Sequence, residues 1–255
     1  MDYHSIIVAR EETIATVTLN RASEMNALTR EMRLELAECF ERLEADDGVN
    51  AVIITGGEYV FCAGMDLNEL ALLGDADVSD YMALIIRYLE KIYSFRKPVI
   101  AAVGGIALGG GFNLAVVSDI IVASETAIFG HPELKFGLNP LFDPLCRIVG
   151  PAKAKEITML GEPIGANEAL RIGLVNKVAP PERFMEEARG IARALARRSP
   201  KAIQAVKRIS DIVPRLDKRA ALEYELDAMA LLFSRAETKE HMKRFLDEMK
   251  SRKKK

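Results

Sequence analysis

Residues 13–19 alternate apolar and polar positions, the period of a strand with one buried face. Thr29 stands where a hydroxyl can cap a helix, and Met32, Leu36, Phe40 and Leu43 follow at helical spacing. A helix is therefore predicted from Thr29 to about Leu43, ended by Asp46-Asp47-Gly48. Three short apolar runs, 51–55, 99–103 and 120–123, read as buried strands. Between the last two lie a glycine loop, 104–111, and an apolar helical stretch, 112–117. The order is strand, glycine loop, helix, strand. From about residue 151 the texture changes: 152–160, 166–172 and 182–197 read as amphipathic helices, with a strand-like segment, 174–179, before the last. Ser199-Pro200 marks a break, and 201–250 reads as helices with charged and apolar faces. Segment 222–233 has a broad apolar face that must pack on the body of the protein or on another subunit. The pattern predicts an α/β fold built from a repeated β–β–α coil followed by helices.

Composition narrows what such a fold does. A chain of 255 residues suits one large α/β domain or a domain with a helical appendage, and 49% apolar residues supply a sizeable core. A net charge of −2 gives no electrostatic reason to expect nucleic acid as partner, and the basic run 252–255 reads as a solvated tail. No apolar run is long enough to span a bilayer, and residues 1–10 lack the basic region and apolar core of a signal peptide. Cys39, Cys62 and Cys146 are widely spaced, as are His4, His131 and His241, so neither a disulfide framework nor a metal site is suggested. The expectation is a cytoplasmic, reduced, metal-free protein with no membrane association.

Three motifs carry candidate chemistry. Phe61-Cys62-Ala63-Gly64-Met65-Asp66-Leu67 follows a strand and a Gly56-Gly57 turn. Its small residues let a ligand approach the backbone, and Asp66 can cap a following helix; a tight strand-to-helix turn needs the same residues. Ala107-Leu108-Gly109-Gly110-Gly111-Phe112-Asn113 opens a helix with three glycines. It lacks the Gly-Lys-Ser/Thr of a phosphate loop and the Gly-x-Gly-x-x-Gly of a dinucleotide site, which leaves an oxyanion site or close helix–strand packing. Phe129-Gly130-His131-Pro132-Glu133 places a carboxylate before an apolar stretch, a setting that suits acid/base work, though this motif taken alone reads as a solvated Glu near a helix start.

The order and spacing of these motifs resemble the crotonase superfamily, the enoyl-CoA hydratase/isomerase family, over nearly the whole chain. Leu19-Asn20-Arg21 with Met25-Asn26-Ala27-Leu28, Lys97-Pro98-Val99-Ile100-Ala101-Ala102-Val103, Ser118-Asp119-Ile120 and the segment 161–178 match further family blocks. The resemblance implies a crotonase-like spiral core over residues 1–198 and a C-terminal helical trimerisation region over 199–255. It further implies a homotrimer or dimer of trimers, an acyl-CoA substrate and no cofactor beyond that thioester. The backbone N–H groups of Met65 and Gly110 would form the oxyanion hole. Ala63, Gly64, Asp66 and Leu67 would contact CoA, and Phe245 would pack near a neighbour's CoA. Family hydratases use two glutamates. Here one position is Glu133 and the other is Asn113, which orients a water but cannot move a proton.

Family isomerases need one base, so double-bond isomerisation with Glu133 ranks first and hydration second. A non-catalytic acyl-CoA-binding homologue is the remaining alternative. Asp143, in the bulky run Pro140-Leu141-Phe142-Asp143-Pro144-Leu145, is either a second carboxylate or a helix cap before Pro144. His131 is expected to form a local hydrogen bond.

Overall fold

The computed structural model describes residues 3–252. The basic tail therefore lies outside the described residues beyond Arg252. The chain divides into two compact units, residues 1–197 and 198–255.

The first unit starts with an antiparallel hairpin, β1 (Ile6–Glu11) and β2 (Ile14–Leu19), followed by the helix α1 (Arg30–Ala45). Three similar passes follow. Each lays one strand in a large sheet, the next in a small sheet, and then turns into helix. The first pass is β3 (Ala51–Thr55), β4 (Val60–Cys62), then α2 (Leu67–Ala71) and α3 (Val78–Tyr93). The second is β5 (Val99–Val103), β6 (Ile106–Leu108) and α4 (Gly110–Val116). The third is β7 (Ile120–Ser124), β8 (Ile128–Gly130) and α5 (Asp143–Leu160). After β9 (Ile164–Gly165) and α6 (Ala166–Arg171), β10 (Lys177–Ala179) closes the large sheet and α7 (Phe184–Ala196) covers it. The large sheet runs β1-β2-β3-β5-β7-β10, parallel from β2 onward; the small one runs β4-β6-β8-β9.

Burial explains the apolar runs. Parallel strands covered on both faces have no polar side to show. In β3 and β5 every residue is buried, and alternate side chains go to opposite cores. Val52, Ile54, Val99, Ala101 and Val103 join the main core with Phe40, Phe61, Phe95 and Phe112. Ala51, Ile53, Ile100 and Ala102 meet Phe184, Ala188 and Ala192 of α7.

α1 begins as its sequence implies, with Thr29 Oγ1 accepting the Met32 N–H. Its far end is held by a group the periodicity does not reveal: Lys97 Nζ donates to Leu43 O and Asp46 O, at 2.7 and 2.6 Å.

The structure also corrects the sequence reading. The stretch 104–111 is not one glycine loop, because β6 lies within it and pairs with β4 and β8. The helix read at 152–160 is present, as the half of α5 that follows a break at Gly150 (φ 78°). In 174–179 only β10 is strand; Leu174 and Val175 donate to Ala169 O and finish α6 instead.

The second unit is helical: α8 (Pro200–Ile212), α9 (Lys218–Phe233) and α10 (Ala236–Arg252), with α9 packing on α8 and on α10. Ser199 and Asp217 cap α8 and α9 through their side chains.

Candidate active site

β4 ends at Cys62 and delivers the chain to a turn that only small residues can make. Gly64 has φ 106°, and a Cβ there would lie 3.0 Å from Leu108 O and 3.2 Å from Gly110 N. The turn is clamped by the segment before α1: Ala63 N donates to Met25 O at 3.0 Å and Leu28 N donates to Gly64 O at 2.8 Å. Asn26 secures the clamp. Its buried Nδ2 stands 3.1 Å from each of Gly56 O, Val60 O and Phe61 O, while Oδ1 accepts the Arg21 N–H. Asp66 Oδ1 then accepts from Asn68 N and Glu69 N and starts α2, leaving Leu67 half exposed. The Glu69 carboxylate fastens α2 to α1, accepting from Arg30 N and from the buried Arg33 Nη2, both at 2.7 Å.

The three glycines are required for three different reasons. Gly109 sits at φ 50°, ψ −120°, a region closed to side chains. Gly110 is the first residue of α4, and a Cβ on it would meet Leu28 Cδ1 at 3.0 Å, Met65 Cε at 3.2 Å and Met65 N at 3.5 Å. At Gly111 a Cβ would lie 2.1 Å from Cys62 O, so backbone passes against backbone there. Among the described residues neither Met65 N nor Gly110 N donates to a protein acceptor. Gly110 is at a helix start, where N–H groups have no intrahelical partner. The Met65 bridge to Leu28 runs through the Leu28 N–H. Two unused donors thus lie side by side where the helix dipole favours negative charge.

β8 brings Glu133 to this loop. Its Oε1 would be 3.3 Å from a Cβ on Gly109, and its side chain is 19% exposed. His131 is fully buried, with Nδ1 3.3 Å from both carboxylate oxygens and in hydrogen-bonding geometry with Oε1, the local bond expected of it. Asn113, one turn into α4, is buried, with Oδ1 unpartnered among the described residues. Asp143 is not a cap: it is the first residue of α5, exposed and ion-paired to Arg147 Nε at 2.7 Å, while Phe142 holds the cap position. Phe245 is exposed on α10 in the second unit. Cys62 adjoins the turn, but burial pushes its thiol up to about 12, so it is no nucleophile.

Sequence reasoning missed the Asn26 clamp and the Arg33–Glu69 pair. Asn26 at φ 50° is the kind of residue that tolerates the left-handed region, but its three acceptors are thirty or more positions away.

Comparison with known proteins decides the family. The sequence profile of enoyl-CoA hydratase/isomerase matches residues 9–254. The crotonyl-CoA hydratase of Syntrophomonas wolfei is 37% identical, covering 98% of each chain, and the short-chain-enoyl-CoA hydratase of Clostridium acetobutylicum is 36% identical, covering 98% of this chain and 97% of its own. The chain belongs to the enoyl-CoA hydratase/isomerase family. Among solved structures, the enoyl-CoA hydratase of Bacillus anthracis superposes with a TM-score of 0.92 at 30% identity, covering 96% of this chain and 97% of that one. The passes through the two sheets are therefore the crotonase spiral, and the protein is an enzyme of enoyl-CoA hydratase/isomerase type. Among the described residues no helix is long and apolar enough to cross a membrane, and no cluster of three or more His, Cys, Asp or Glu could hold a metal.

Proposed function

We propose that this protein adds water to a short 2-enoyl-CoA, with Glu133 as its one proton-transferring carboxylate. The observation that carries the reading is the pair of unused N–H groups at Met65 and Gly110 with Glu133 against the same glycine loop. The thioester oxygen sits between the two donors. Water attacks C3 and gives its proton to Glu133; the C2=C3 electrons move onto the thioester oxygen as an enolate. Glu133 then returns a proton to C2, and the sum is one added water. Each oxyanion donor is worth about 2.7–4 kcal/mol in this kind of chemistry. Asn113 orients the water. Ala63, Gly64, Asp66 and Leu67 line the approach of CoA, and Phe245 contacts the CoA of a neighbouring subunit. The reaction needs no cofactor.

Hydration takes precedence over isomerisation, reversing the order the sequence suggests, because the relatives compared above are named as hydratases. One observation favours the second reading. With Asn113 in place of a carboxylate, a single base shuttling a proton from C2 to C4 of a 3-enoyl-CoA is also served by this site.

The test is turnover of crotonyl-CoA and of a 3-enoyl-CoA, with products identified by mass spectrometry. Faster hydration of crotonyl-CoA supports the proposal, and faster isomerisation replaces it with the second reading. Glu133→Gln should lower either activity by at least about a hundredfold, the usual contribution of a general acid/base. CoA-ester binding should persist in that variant.

A further inference from the structure

His131 stands between the glycine-loop helix and the carboxylate. Its ring is fully buried and packs on Phe112, the residue after Gly111, with centroids 4.7 Å apart at 45°. Phe112 in turn packs on Phe129 at 5.8 Å. Nδ1 faces Glu133 at 3.3 Å, and Nε2 is buried without a partner among the described residues. That last fact selects the tautomer. A proton on Nε2 would bury a donor with no acceptor and turn the Nδ1 lone pair towards a carboxylate. A proton on Nδ1 is taken by Glu133 and leaves only a lone pair unsatisfied, the cheaper arrangement. Glu133 itself sits on a single 3-10 turn, Glu133–Phe136, with no other hydrogen bond to either carboxylate oxygen among the described residues. Nothing else on its own element fixes how the carboxylate is turned.

We propose that His131 is a positioning residue for Glu133: its Nδ1–H holds the carboxylate in the orientation that proton transfer uses. The inference rests on the reading of Glu133 as the base. A contact of 3.3 Å is long for a charge-assisted bond and can shorten as substrate seats, as catalytic hydrogen bonds do. The ring locks against α4, so the same side chain ties the base to the helix whose first N–H serves the oxyanion.

The experiment compares His131→Asn, His131→Leu and His131→Gln with wild type, using crotonyl-CoA for kcat and KM and thermal melting for stability. Glu133→Gln is the control. Asn places an amide N–H near where Nδ1 stood, Gln places it one atom further out, and Leu keeps volume without a donor. Positioning predicts that His131→Leu loses about ten- to a hundredfold in kcat, the scale of a misplaced reacting group, with KM little changed. His131→Asn should recover most of that kcat although it melts lower, because it leaves a hollow beside Phe112. His131→Gln should not recover it. A packing role predicts the reverse activity order, and Leu at or above Asn overturns the proposal. If His131→Asn does not fold, wild-type kcat in His131→Leu overturns it and a lost kcat supports it. Retained turnover in Glu133→Gln overturns the base assignment and this proposal with it. An inactive Glu133→Gln with an unimpaired His131→Leu overturns this proposal alone.

Discussion

Position 113 sets what a single carboxylate can accomplish. An amide holds a water or a substrate oxygen but has no state that accepts or releases a proton at neutral pH. Asn113→Glu should raise hydration relative to isomerisation, read as the product ratio from matched crotonyl-CoA and 3-enoyl-CoA assays; an unchanged ratio would remove Asn113 from the reaction. The substitution also has a stability cost, because position 113 is buried and a carboxylate there needs a partner, so the variant should melt below wild type. Cys62 offers a second test at this scale. With its thiol pushed up to about 12 by burial, thiolate at pH 8 is scarce. Alkylation of the native protein at that pH should leave Cys62 unmodified by peptide mass mapping, whereas a modified Cys62 would mean that the turn opens. Glu133's role is visible in its motif, whereas Asn26 stands in a matched block with its role hidden. A single buried asparagine donating to Gly56 O, Val60 O and Phe61 O is a tertiary fact with no local pattern behind it.

Elements were legible where their apolar pattern ran long enough to register. β3 and β5 bury all five residues each, and their apolar runs mark them end to end. β4, β6 and β8 have three residues apiece, too few for a period to register, and they exist because neighbouring passes of the spiral pair with them. α1 was readable from its cap and its apolar stripe, but Arg33 lies on the buried side of that helix and belongs to a pair with Glu69 that periodicity hides. The glycine triplet looks uniform as sequence and is not uniform in structure, which yields a prediction. Gly111→Ala sets a Cβ 2.1 Å from the Cys62 carbonyl, backbone that cannot yield, and should cost about 3 kcal/mol or more in denaturant unfolding. Gly110→Ala presses most closely on the ends of the flexible Leu28 and Met65 side chains, at 3.0 and 3.2 Å, and touches backbone only at Met65 N, 3.5 Å away. It should stay folded with a melting point near wild type while kcat falls, because the new methyl crowds the Met65 N–H. A Gly110→Ala variant of full activity would move the oxyanion site elsewhere.

At the scale of the whole molecule the second unit poses its own requirement. Leu222, Leu226, Met229, Leu231 and Phe233 of α9 are each at least half exposed, and Met242, Phe245, Leu246 and Met249 of α10 are close to or above that level. Side chains of this size exposed together on two successive helices exceed what a lone soluble chain ordinarily shows, and closed symmetric association is the usual way to cover them. The net charge of −2 is too small to hold copies apart. The expectation is a homotrimer or a dimer of trimers, so static light scattering at micromolar concentration should give three or six times the 28.2 kDa protomer. Leu226→Glu puts a charge into the middle of the α9 apolar surface. Residues 1–197 keep a core of their own, so the variant should remain folded by circular dichroism while its scattering mass falls towards that of the protomer. A wild-type protein that already scatters as a 28.2 kDa monomer would end the assembly argument, and with it the assignment of Phe245 to a neighbour's CoA.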